Sequence, residues 1–223
     1  MALIRNANSK NISGGYSRIF GNSDLGKLIS KIQSSVISSG NELERIIARS
    51  VPNVQDLDEL IQLKKIPKGI FIAGKKQMKS SAILSSSSAE PDFLIFKRYS
   101  SEQTCHVVEL KDGHVFDTKK AEAETQNMRN FISRNAQKLN FTISAHFCAF
   151  NQESKEIIQE GFKNRISIKE AMSGQELCDL LEINYKEIVN MRQRDQEKNI
   201  DYFVSELVKI DVVRSGLKEL LKK

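Results

Sequence analysis

Three absences bound this chain before any motif is read. No apolar run approaches the ~18 residues needed to span a bilayer. The start, MALIRNANSK, has no hydrophobic stretch of a secretory leader. The expectation is a cytoplasmic protein with no membrane partner. Cysteine is scarce: Cys105, Cys148 and Cys178 lie far apart in apolar settings, form no CxxC pair and have no histidine at ligand spacing. They read as reduced core residues. Histidine is equally scarce, and His106, His114 and His146 make no HxH or HExxH pattern. A zinc site and a Ser-His-Asp relay therefore both lack support, and scattered structural histidines are expected.

What is present is ordinary for a folded domain. The chain has 223 residues, 39% hydrophobic and 28% charged, enough to bury a core without staples. Thirty-four Lys and Arg stand against 28 Asp and Glu, a net charge of +6, which favours a polyanionic partner through counterion release.

Apolar residues recur with helical period from Leu25 to Val51. The break at Ser39-Gly40 predicts two helices, roughly 24–38 and 41–50, with Asn41 as N-cap of the second and Glu44 as its capping partner. The segment Gly69-Ile-Phe-Ile-Ala-Gly-Lys-Lys approaches a phosphate loop, but position 76 is Lys and the spacer is an apolar strand, so a nucleotide site is rejected. Residues 74–90, rich in Lys and Ser, read as an irregular loop. Strands follow at about 92–98 and 104–111, joined by Tyr99-Ser-Ser-Glu-Gln103 as a hairpin. Asp117-Thr118 can cap a helix to about Leu139, and Phe141 to Phe150 is an apolar strand. A further strand is expected at Arg165 to Ile168. Met172 to Lys223 is helical in period, with breaks at Asn184 and near Asn199. The fold class is α/β: a central mixed sheet of about five strands flanked by helices, with a helical C-terminal part.

The chemistry is concentrated in Pro91-Asp92-Phe-Leu-Ile-Phe and Val107-Val108-Glu109-Leu110-Lys111, where two acids and a lysine interrupt apolar strands. Strand side chains alternate faces, so Glu109 and Lys111 share one face with Val107, while Val108 and Leu110 enter the other layer. A turn centred on Ser101 puts Asp92 opposite residues 109 to 111. It joins the acid and the lysine on one face only if its partner is odd-numbered, and either Glu109 or Lys111 satisfies that condition. Two carboxylates held together repel unless a hard cation lies between them, and magnesium prefers such oxygen ligands while keeping several waters. Asp92 and Glu109 are thus the candidate metal ligands. The cation would activate water against a phosphodiester, with Lys111 orienting the nucleophile or steadying negative charge.

Pro91, Asp92, Glu109 and Lys111, with the helix-hairpin-helix-strand order around them over roughly residues 40 to 150, resemble the PD-(D/E)xK nuclease superfamily. Size and the run Glu109 to Lys120 look like a Type II restriction endonuclease within it. The resemblance implies one endonuclease domain over 1–223, with a catalytic core at about 40–170 and a helical subdomain at about 171–223. It further implies magnesium-dependent cutting of double-stranded DNA at a short sequence, leaving 5′-phosphate and 3′-hydroxyl ends. Members often place another acid on an early helix, so Glu44 is either a cap or a fourth site residue, with Glu42 a weaker candidate. A homodimer follows by the same analogy, its interface expected on the basic C-terminal helices.

Candidate phosphate contacts are Lys75, Lys76 and Lys79 in the basic loop. Lys119 and Lys120 at a helix start are further candidates, where a plain capped helix with a basic surface serves equally. Arg192 and Arg194 complete the set. The helices around Ile183-Asn184 also resemble a helix-turn-helix, which would make the chain a non-catalytic DNA-binding regulator; packing of an ordinary helical hairpin explains the same spacing. A third reading is a structure-selective repair or recombination nuclease with the same catalytic residues.

Overall fold

The structure is a computed structural model that describes residues 1–8, 15–52, 54–62, 68–85, 90–99, 103–114 and 120–222. By compactness the chain divides into two units, one built from residues 1–43 and 186–223 and the other from residues 44–185.

The second unit contains the whole sheet, and its strands form where apolar, β-branched residues cluster. They are β1 (Gly69–Gly74), β2 (Phe93–Arg98), β3 (Gln103–Lys111), β4 (Thr142–Ala149) and β5 (Ala171–Ser173), in spatial order β1-β2-β3-β4-β5. β1, β2 and β3 pair antiparallel, and β3, β4 and β5 pair parallel. The sheet is therefore mixed and five-stranded, as expected. The helices of this unit are α3 (Leu57–Ile61), α4 (Lys75–Ser80), α5 (Ala121–Asn135), α6 (Lys155–Gly161) and α7 (Gly174–Leu181).

One face of the sheet presents Leu94, Phe96, Cys105, Val107 and Phe147. They form a continuous buried cluster with Leu60 and Ile61 of α3, Met128 and Phe131 of α5, and Ile158 of α6. Burying side chains of this size contributes about 1.5–3 kcal/mol each. The alternate positions Ile72, Phe93, Ile95, Val108 and Leu110 are buried as well, so the central strands are apolar on both faces. Cys105, Cys148 and Cys178 are free and buried. No helix among the described residues is long and apolar enough to cross a membrane.

Four expectations are corrected here. The two helices expected at 24–38 and 41–50 are one, α2 (Ser23–Ser50), and Asn41 lies in its interior rather than at a helix start. Asn22 begins α2 by accepting from the backbone N–H of Leu25 at 2.9 Å. Ser35 and Ser38 donate to the carbonyls of Lys31 and Ser34, so the polar stretch is satisfied inside the helix. Burial of Leu28, Leu43 and Ile47 outweighs the cost of Gly40 in mid-helix. The basic loop at 74–90 begins instead with α4, entered directly from β1, where the Gln77 side chain accepts from the Gly74 N–H at 3.1 Å.

The strand expected at Arg165 to Ile168 lies at 171–173. Lys163 and Asn164 are left-handed, and Ser167 donates both its N–H and its hydroxyl to Glu170, which closes a turn across the expected strand. Finally, α8 (Tyr185–Leu207) runs through Asn199, and the break precedes α9 (Asp211–Leu220). Asn199 accepts from the Ile4 N–H at 2.8 Å and donates to the Ala2 carbonyl at 2.9 Å, so it anchors the N-terminal segment rather than ending a helix. The break at Asn184 stands, with Glu182 left-handed after α7. Asp117, Thr118 and Lys119 lie outside the described residues; α5 begins after Lys120.

Continuity of α2 makes a direct prediction. A Cβ on Gly40 meets no atom within 4 Å, so Gly40→Ala should stabilise the protein by about 0.5–1 kcal/mol, read by thermal or urea unfolding. A helix broken at Gly40 would give the opposite sign.

Candidate active site

The hairpin register decides what Asp92 meets. Phe93 pairs with Val108 and Arg98 with Gln103; continuing that register by one residue brings Asp92 level with Glu109, an odd-numbered partner. The Asp92 side chain is 3% exposed. Its Oδ2 accepts from the Leu110 backbone N–H at 2.6 Å, and its Oδ1 accepts from the Lys75 ammonium. The backbone bond pins the carboxylate across the top of the hairpin, and the lysine compensates its buried charge.

Lys75 reaches Asp92 because β1 pairs Gly74 with Phe93, so the first residue of α4 emerges beside the residue that precedes β2. Burial works against the Lys75 charge, but Asp92, Glu44 and Glu109 outweigh it and raise its pKa. The lysine read as a phosphate contact is thus also the ion partner of a candidate metal ligand.

Glu109 and Lys111 project from β3 on the face that carries Val107. Lys111 Nζ lies 3.2 Å from Glu109 Oε1 and 2.9 Å from Glu124 Oε1 on α5. Burial first, and the nearby Asp92 second, push the Glu109 carboxyl up to about 7, against the pull of Lys111 and Lys75. For Lys111, burial lowers the pKa but Glu109 and Glu124 more than reverse it.

Glu44 lies in the interior of α2, so its expected capping role is gone. Its pKa is raised by burial and then by Asp92, with Lys75 and Lys111 pulling the other way; the helix delivers it into the field of the same site. The chain leaving α2 is tied to β1, with the Ile72 N–H donating to the Pro52 carbonyl and the Val54 N–H to the Ile72 carbonyl. Glu42 goes elsewhere, 3.1 Å from the N-terminal ammonium.

These donors suit a hard divalent cation. Two largely buried carboxylates raise the pKa of one of them, and an ammonium already compensates the other. Among the described residues no three His, Cys, Asp or Glu converge to hold an ion. A cation here would use Asp92 and Glu109 and keep waters for its other positions, the habit of magnesium.

The remaining cations divide. Lys76, Lys120 and Arg194 are exposed, and Lys79 is exposed with its Nζ 3.9 Å from Glu90. Arg192 is corrected: it is buried at 4% exposure in α8 and donates to Ser39 Oγ, so it presents no surface charge to DNA. His106 and His146, forty residues apart, meet through parallel pairing of β3 and β4, with Nδ1 and Nε2 3.1 Å apart and Ser144 bridging. They lie on the sheet face opposite Glu109. Burial pushes His146 down to about 4. Glu124 is a close partner of the lysine that no local motif marks, because it arrives from a helix.

The Glu109 shift makes a signed prediction. Below about pH 4.5 folded and unfolded chains both carry the proton, so no stability is lost there. As pH rises towards 7 the unfolded chain ionises first and stability falls, then stays low above 7. In chelator, Glu109→Gln should therefore raise Tm at pH 8 by on the order of 5 °C and lose that gain near pH 4.5. Equal melting at both pH values would contradict the buried, repelled carboxylate.

No protein-family model matches the chain, and no solved structure matches it. Among curated proteins it is 38% identical over 226 residues to the Type II restriction enzyme HhaII of Haemophilus parahaemolyticus, across 98% of this chain and 99% of that one. Identity at that level along the full length places the chain in the same family of Type II restriction enzymes.

Proposed function

We propose that the chain cuts double-stranded DNA at a short specific sequence in a magnesium-dependent hydrolysis, with the active site of a PD-(D/E)xK nuclease at Asp92, Glu109 and Lys111. The observation that carries this reading is the hairpin register, which sets the buried Asp92 carboxylate level with the half-buried Glu109 carboxylate beside Lys111. Kinship with HhaII supports the reaction class.

Asp92 and Glu109 hold the cation, and Glu44 is the fourth member from α2. When bound, magnesium neutralises charge building on the phosphate and makes water a better nucleophile. The chain's own groups do the rest. The Leu110 N–H fixes the Asp92 carboxylate through Oδ2, and the Lys75 ammonium accompanies Oδ1. Lys111 orients the nucleophile or steadies the extra negative charge. Lys75, Lys76 and Lys79 on α4, with Lys119, Lys120 and Arg194, are the proposed phosphate contacts. We place the enzyme in the cytoplasm, with its DNA.

Cutting both strands of a symmetric site calls for two active centres, so we propose a homodimer. Ile200 and Val204 on α8 and Val208 just past its end make an exposed i, i+4, i+8 series, and Val212 and Leu220 are exposed on α9. Such apolar surface is what a second copy would cover.

The test is digestion of a mapped plasmid with magnesium, followed by end sequencing. Discrete fragments with 5′-phosphates are expected, abolished by chelator. Asp92→Ala and Glu109→Ala should each cut at least about 100-fold more slowly while still binding DNA. Binding without cutting in magnesium or manganese would sink the proposal, and cutting only at junctions would favour a repair nuclease. Sedimentation should give a dimer that Val204→Lys weakens.

A further inference from the structure

Glu124 has no part in the cleavage reading so far, yet its setting differs from that of a surface acid. Glu122, two residues earlier on α5, is 72% exposed and pairs with Arg165, an ordinary solvated ion pair. Glu124 is 15% exposed; one oxygen accepts from Lys111 and the other, Oε2, is buried with no hydrogen-bond partner among the described residues. A carboxylate so enclosed is costly unless a cation compensates it, and Lys111 supplies that charge at 2.9 Å. Glu109 and Glu124 also line the same cavity of about 70 Å³, with Pro91 and Asn127.

The two distances to the ammonium are unequal, 2.9 Å to Glu124 and 3.2 Å to Glu109. Charge-assisted bonds settle at about 2.7–2.9 Å, so Glu124 has the closer share. A lysine stem is flexible, and with Glu109 as its only anionic neighbour on β3 the ammonium would close onto that carboxylate and compete with any cation for its oxygens.

We infer that Glu124 is the positioning residue for Lys111: from α5 it shares the ammonium with Glu109, drawing it from full closure on that carboxylate and fixing Lys111 in the site. The inference rests on the reading of Asp92, Glu109 and Lys111 as the cleavage site.

Two measurements test it. In single-turnover cleavage with magnesium, Glu124→Gln, which keeps an acceptor oxygen, should lose about 10-fold and Glu124→Ala about 100-fold in rate, while DNA affinity in calcium moves less than about two-fold. In calorimetric titration with manganese, without DNA, Glu124→Ala should weaken binding about 10-fold, and that loss should vanish in a Lys111→Met background, because the two residues act as one unit. If Glu124→Ala does not fold, Glu124→Gln carries the same cycle. Wild-type cleavage by the variant, or a manganese loss that persists undiminished without Lys111, overturns the positioning role while the cleavage site stands. A wild-type protein that never cuts DNA overturns the reading beneath it.

Discussion

The site depends on one buried carboxylate. Asp92 is almost wholly enclosed, which a charge tolerates only with close partners. Among the described residues these are the Leu110 N–H across the hairpin and the Lys75 ammonium from the start of α4. Both follow from strand pairing. Slipping β2 by one residue against β3 would turn Asp92 to the opposite face and bring Phe93 beside Glu109. The apolar positions Leu94, Phe96, Val107 and Phe147 on one face, and Ile95 and Val108 on the other, make that slip costly, so the packing of the sheet also holds the charges in place.

Around Asp92 the charges are placed in excess of what they need from one another. Glu44, Asp92, Glu109 and Glu124 arrive from α2, the start of β2, β3 and α5, with Lys75 and Lys111 among them and Arg45 acting on Glu44. Glu109 remains poorly compensated, which is why burial and Asp92 lift its carboxyl so far. A fully neutralised cluster would have little use for a further cation. This one retains electrostatic demand, which is what the proposed cation would meet.

The hairpin, the apolar strand after α5 and the shared face of Glu109 and Lys111 were legible because they follow from period-two alternation and short-range turns. Errors fell where a local signal competed with burial. Gly40 reads as a helix break, but Leu43 and Ile47 on either side of Glu44 are fully buried and keep α2 whole. Asn199 reads as a stop, but its side chain bonds to the N-terminal segment. Arg192 reads as a surface cation only while its neighbours are unknown.

What the amino-acid sequence determined by itself was the pair on β3 and the approximate level of Asp92, since both rest on geometry within twenty residues. Tertiary structure decided the rest: that Asp92 stands level with Glu109, that α2 carries Glu44 into its field, that Lys75 reaches it from the start of α4, and that Glu124 descends on Lys111 from α5. Each of these contacts joins separate elements, and the burial that selects among the possible pairings exists only once the sheet and helices have packed.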